Sequence, residues 1–325
     1  MIRANKIRLI LLSLLVLLMF SACQDNGNLR VDVSNISANV NIIRFDKDYY
    51  GKSASEFAQI KKKYPYMFPA STPDSVWIAK MQDSLLLDLK QEVDKIFPNL
   101  DKQEPQIADL YKHIKYYYKD FKEPKILTLY SDWNYLRRAV FIDSIELLTL
   151  DNFLGSDNRI YKGIPNYIRQ NLKPERIPVE IANSIIDTKV PPTRSKNLLH
   201  KMVNAGKKLF MLDAFLPKLQ DSIKIGYTQT KMQWIQDNEE DVWVFFVENK
   251  LLYSTDNKLD RRFMNLAPYS KFYTEDDAKS PGRVGQYIGW QIVRSFMKKN
   301  KVSLQQLIHM DEEEIFKKSG YKPKK

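Results

Sequence analysis

Cys23 is the only cysteine in the 325-residue chain, and it stands at the end of an apolar run. One thiol permits no intramolecular disulfide, no CxxC redox pair and no cysteine-built zinc site, so the fold must be held by burial and hydrogen bonding. The material for a core is present. Hydrophobic residues make up 44% of the chain and aromatics 12%, enough for one large domain or two ordinary ones. Charge is dispersed rather than blocked into tails, and Gly 10 and Pro 15 are too few for a low-complexity chain.

Ahead of Cys23, Arg3, Lys6 and Arg8 precede an apolar run over residues 9–20 that only Ser13 interrupts. A run of about a dozen residues is too short to cross a bilayer of roughly 30 Å as a helix, so residues 1–22 read as a secretory signal peptide. The sequence Phe20-Ser21-Ala22-Cys23 resembles the lipobox of bacterial lipoproteins, whose cysteine carries diacylglycerol and becomes the first mature residue. The plainer alternative is a buried core cysteine behind an ordinary leader. Acyl chains contribute about 0.8 kcal/mol per buried methylene, so a lipid on Cys23 holds a domain to a membrane with no spanning helix. That covalent lipid is the only cofactor expected. Gln24, in place of Asp, favours the outer membrane over the periplasmic face of the inner membrane. Cleavage removes three basic residues and lowers the net charge from +12 to +9.

Residues 23–39 are polar and read as a lipidated flexible tether. Residues 40–325 read as a single globular domain, with no internal repeat and no break in composition. A short strand is expected over residues 40–46, and a long amphipathic helix from Ser75 to the stop at Pro98. A second helix is expected over residues 106–121, then three strands at 125–130, 139–142 and 146–150. From Pro165 onward the chain reads as helices punctuated by prolines. The fold class is α+β, predominantly α-helical, with a small mixed sheet in the N-terminal half and a helical C-terminal half.

Chemistry-bearing residues are sparse. The three histidines are His113, His200 and His309, and the first two-residue contexts that matter are those of His200. His113 and His309 read as surface or satisfied core residues. In metallopeptidases H-E-x-x-H places two imidazoles one helical turn apart with a glutamate beside the metal-bound water. Here Lys201 replaces that glutamate and Asn204 the second histidine. A lysine ammonium repels a metal and is no base at neutral pH. Glu239 or Glu240 could supply a carboxylate ligand, but one histidine and one carboxylate make a poor site, so no metal is expected. The G-x-S-x-G, G-x-x-x-x-G-K-[ST] and G-x-G-x-x-G motifs are all missing.

Two denser segments remain. Residues 234–253 run from an acidic cluster at Glu239, Glu240 and Asp241 into an aromatic stretch, as in a core helix whose acidic first turn complements its dipole. Residues 280–297 open with Ser280 as N-cap and Pro281 at the first helical position. Gly285 and Gly289 then fall on one face, each costing about 1 kcal/mol relative to alanine, which implies close approach of another backbone. The alternative is a ligand or partner groove floored by these glycines and flanked by Arg283 and Arg294.

Taken in order, these segments resemble the GldB family of gliding-motility lipoproteins. The residues that carry the resemblance are Phe20-Ser21-Ala22-Cys23, Arg44-Phe45-Asp46, Leu154-Gly155-Ser156-Asp157, residues 200–217 with Gly206-Lys207-Lys208-Leu209, Asn238-Glu239-Glu240-Asp241-Val242-Trp243, residues 250–256 and residues 280–297. The resemblance implies a membrane-anchored component of surface gliding, with partners in the motility and protein-secretion machinery. The family is in turn distantly similar to predicted zinc peptidases of zincin-like fold. By that likeness His200-Lys201-Met202-Val203-Asn204 occupies the metal-binding helix as a vestigial site, and only Cys23 carries a family role across.

The leading expectation is therefore a non-enzymatic envelope lipoprotein. The alternatives are a metallopeptidase-like hydrolase around His200 and Glu239 or Glu240, and a basic cell-wall or glycan binder suggested by the charge of +9. Nucleic acid is an improbable partner for an exported chain, the ligand of any small-molecule groove is unspecified, and the late lysines read as a solvated tail.

Overall fold

The computed structural model describes Leu29 and residues 31–324, so Cys23 and the leader lie outside the described residues. Strand β1 (Asn41–Ile43) is shorter than its apolar pattern implies, because the chain turns into helix α1 (Phe45–Tyr49) two residues on. The cause is electrostatic. Arg44 Nε and Nη2 donate to the Asp46 carboxylate at 2.9 and 2.7 Å, and Arg44 Nη1 donates to Phe97 O at 3.1 Å. Asp46 is fully buried, and Thr128 Oγ1 also donates to it.

Helices α2 (Phe57–Lys63), α3 (Asp74–Met81), α4 (Ser84–Ile96) and α5 (Glu104–Tyr117) follow. The single long helix expected from Ser75 is two helices, a correction with a local reason. Asp83 leaves the helix and caps α4, its carboxylate accepting from Leu85 N at 2.9 Å and Leu86 N at 3.1 Å. Leu85 keeps the helical spacing but is 62% exposed, so periodicity alone overran the cap. Helix α5 likewise stops at Tyr117, short of Phe121.

Strands β2 (Lys125–Leu129), β3 (Ala139–Ile142) and β4 (Ile145–Thr149) join β1 in a four-stranded mixed sheet of order β1-β2-β4-β3. The pairs β1/β2 and β2/β4 are parallel, and β3/β4 is an antiparallel hairpin. The hairpin turns at Asp143 with φ of 53°, a left-handed conformation that aspartate tolerates. Residues 31–39, read above as tether, lie against this half: Lys115 Nζ donates to Ser37 O at 3.1 Å, and Asn39 N donates to Glu123 at 3.2 Å.

The C-terminal half is helical: α6 (Asn166–Arg169), α7 (Ile177–Asp187), α8 (Leu198–Phe215), α9 (Asp221–Ile225), α10 (Gln229–Asp237), α11 (Glu239–Glu248), α12 (Val284–Lys299), α13 (Leu304–His309) and α14 (Glu312–Ser319). A π-helical turn occupies Asp260–Met264. Helix α8 is apolar on most of its circumference, as a central helix must be, and α7, α12 and α14 pack on it while α7 also covers β3. Helix α12 begins three residues after the expected proline. Ser280 Oγ is already engaged with Ser270 O and Asp277 O, which ties down the preceding loop, and Arg283 serves as N-cap residue instead. No helix among the described residues is long and apolar enough to cross a membrane.

Candidate functional site

The Pro191-Pro192 break frees Asn197 to start α8. Its side-chain oxygen accepts from His200 N at 2.9 Å and lies 2.6 Å from His200 Nδ1, which orients the ring with Nδ1 as donor. Lys201 points away from this ring and pairs with both oxygens of Asp260 at 2.8 Å. Asn204 donates to Pro191 O at 2.9 Å. One further turn on, Lys207 is 1% exposed, and its ammonium donates to Met310 O at 2.6 Å and Glu312 Oε1 at 2.8 Å.

Spacing on α8 therefore turns His200, Asn204 and Lys207 toward the start of α14. There the ligand atoms of His200, Asp311 and Glu312 lie within 4.8 Å of one another. The expected carboxylate partners, Glu239 and Glu240, are not in this cluster. The chemistry of the donor set fits a metal poorly. Asp311 Oδ1 is spent capping α14, accepting from Glu313 N at 2.9 Å and Glu314 N at 3.1 Å. The buried Lys207 ammonium already neutralises Glu312, and a divalent ion there would meet that positive charge across a low-dielectric gap.

Glu239 has a separate role. It opens α11, is 1% exposed, and accepts from Tyr287 OH at 3.2 Å, Tyr321 OH at 2.8 Å and Lys324 N at 3.3 Å. Burial, and then the Glu239 charge, push both phenols well above their ordinary value. Glu239 thus ties α11, α12 and the C-terminal segment together. Glu240 is half-buried on the first turn of the same helix.

The glycines on α12 meet a partner glycine on α8. A Cβ on Gly289 would fall 1.8 Å from Met202 O, and one on Gly206 would fall 2.2 Å from Gly289 O. Gly285 faces the π-helical turn, where a Cβ would lie 2.7 Å from Met264 Sδ. Gly289 and Gly206 are filled by backbone and Gly285 by the Met264 side chain and Phe263 O, so these glycines do not floor a groove. Arg294, read as a groove flank, is consumed in a buried network. It reaches Asp213 through Nε and Nη2 at 2.7 Å and Asp221 at 2.7 and 2.9 Å, and Asp213 also accepts from Trp290 Nε1 and Lys224 Nζ at 2.8 Å. Arg283 stays apart from this network, at the mouth of α12. Lys207, quoted only for the family resemblance, and Asp213, Asp311 and Glu312 were not read as site residues from the sequence. The spacing of Lys207 from His200 on one helix face was the only available signal.

The family described as gliding motility protein GldB has a model that matches residues 26–323. No curated protein and no solved structure match the chain.

Proposed function

This chain belongs to the gliding motility protein GldB family, and from that premise we propose that it is a non-enzymatic, membrane-anchored lipoprotein that structures or assembles the envelope machinery of gliding and its associated secretion. Lipid on Cys23 supplies the anchor, and the folded body supplies the surface on which other machinery proteins are held.

The observation that carries the non-enzymatic reading is the pairing of Lys207 with Glu312. At the one place among the described residues where a histidine and two carboxylates converge, a buried ammonium is already paired with one of the carboxylates. The neighbouring polar groups are bound to backbone: Asn197 and Asp311 cap helix starts, and Asn204 holds the Pro191 loop. The test is His200→Ala in cells, scored for gliding and for protein abundance. Normal gliding at normal abundance is the expected result. Lost gliding with normal abundance and membrane attachment would refute the purely structural role and return the His200 cluster to an active one.

A further inference from the structure

Between α7, α8, α9 and the first turn of α12 lies a cavity of about 300 Å³ whose wall is cationic. Arg176, Lys201, Lys208, Lys224 and Arg283 line it, and no carboxylate does. Most of these charges are matched from behind the wall. Lys201 pairs with Asp260 and Lys208 with Asp187. Lys224 pairs with Asp213, in the network where two carboxylates balance Lys224 and Arg294. Glu312, which reaches Asn204 at the edge, is neutralised by Lys207.

The remainder does not balance. Arg138 and Arg176 share the single carboxylate of Glu180, at 3.0 and 2.5 Å. Arg283 has no carboxylate partner among the described residues. Its Nη2 donates to Ile225 O at 2.5 Å, while its Nε is buried with no partner among the described residues. An unmade hydrogen bond on a buried cationic donor is costly, and because Nε has no accessible surface it adds positive charge to the wall rather than a bond to a ligand. Counting Arg138, which sits behind the wall without lining the cavity, the surroundings carry an excess of two positive charges, one from the Arg138, Arg176 and Glu180 group and one from Arg283.

Two further features converge on the same point. Arg283 adopts φ of 62°, a conformation that costs a non-glycine residue about 1 kcal/mol or more, with Gly282 immediately before it. The strain is carried at the residue whose guanidinium borders the cavity. Arg283 is also the N-cap residue of the sixteen-residue α12 and gives that helix no side-chain cap, Val284 N being met instead by Ser270 Oγ at 3.5 Å. Burial and the nearby Arg176 and Arg138 lower Arg283 to about 10, which still leaves it charged at neutral pH.

We propose that this cavity binds a phosphate monoester or phosphate dianion. Two charges match the excess of two, whereas a carboxylate would neutralise only one. Arg176 spends Nε and Nη2 on Glu180 and Nη1 on Ile223 O and Lys224 O, so the charge-assisted donors left for tetrahedral oxygens are the Lys201 and Lys208 ammonium groups and the Arg283 guanidinium. The volume sits at the lower edge of small-ligand pockets, which admits the phosphate and a short organic group.

The test uses the full chain in detergent at pH 8. Calorimetric titrations with inorganic phosphate and with glycerol phosphate run beside chloride at matched ionic strength. Saturable binding of either phosphate probe is expected. Tighter binding of inorganic phosphate identifies a free anion as the source, and tighter binding of glycerol phosphate identifies an ester of the lipid-headgroup kind. Arg283→Gly, whose backbone suits the φ of 62°, should weaken binding at least tenfold. Lys201→Gln should weaken it severalfold and covers the case in which Arg283→Gly fails to fold. The proposal is overturned if neither probe binds beyond chloride, or if the folded variants bind as tightly as the parent chain.

Discussion

Gly289→Ala sets helix propensity against packing with opposite signs. In an isolated helix the substitution stabilises by about 1 kcal/mol. Here the new Cβ would fall 1.8 Å from Met202 O and 2.3 Å from Met202 C. Both are backbone atoms of the central helix, so no side chain can swing aside. Reaching ordinary van der Waals distance requires α8 and α12 to separate by about 1.5 Å. A gap of even 0.5 to 1 Å forfeits roughly a quarter to a half of each contact's dispersion energy along the seam. Overpacking a rigid core costs about 1 to 3 kcal/mol, and a clash confined to backbone belongs at or above the upper end. A net loss of about 3 kcal/mol is expected, which at about 2 °C per kcal/mol for a large domain lowers Tm by about 6 °C. Thermal unfolding followed by circular dichroism measures it. Gly206→Ala should behave alike, and the double variant should lose less than the two losses together, because one separation relieves both clashes. An unchanged or raised Tm for Gly289→Ala would refute the backbone-contact argument.

Other perturbations read out separate parts of the structure. Lys207→Met leaves Glu312 buried without its cation and should destabilise by about 3 to 5 kcal/mol, with much of that recovered in Lys207→Met/Glu312→Leu; an equally unstable double variant in denaturant titration would count against the pairing. Glu146 is buried on β4 with Ser184 Oγ at 2.9 Å, and burial raises its carboxyl to about 8 from an ordinary 4.5. The folded state then keeps a proton that the unfolded chain releases, so stability is full below about 4.5 and is lost as pH rises toward 8. Glu146→Gln should flatten that decline in Tm measured from pH 5 to 9, and parallel profiles would sink the assignment. Cys23→Ser should move the protein from the membrane to the soluble fraction, and a variant that still sediments with membranes and supports gliding would overturn the lipid anchor.

What could be read ahead of the structure was local. The runs at 125–130 and 139–142 supplied their own strands, and the prolines after Pro165 marked off the helices of the C-terminal half. The pairing of Gly285 with Gly289 announced close approach, although its partner Gly206 lies on a helix more than 70 residues earlier. Where local signals competed, periodicity misled: Leu85 kept the helical spacing while Asp83 ended one helix and capped the next. Ser280 and Pro281 formed a good helix start on paper, but the serine was needed to hold Ser270. The arrangement around His200 was out of reach for a different reason. Glu312 stands 105 residues from Lys207, and nothing in either neighbourhood indicates that they meet. The acidic Glu239 looked like a helix-dipole residue, and its role in gathering Tyr287 and Tyr321 depends on the tertiary fold.

The docking of residues 31–39 onto the N-terminal half sets a distance. With Leu29 packed against the core, Ser37 O held by Lys115 and Asn39 N by Glu123, the leash from the lipid proposed on Cys23 would end at Leu29 rather than near residue 40. Six residue steps reach at most about 21 Å when fully extended. A body tied so closely by that proposed anchor would work within about its own radius of the bilayer, and the surface beside residues 31–34, with Asp109, Lys112 and Lys218, would be the side held nearest to it.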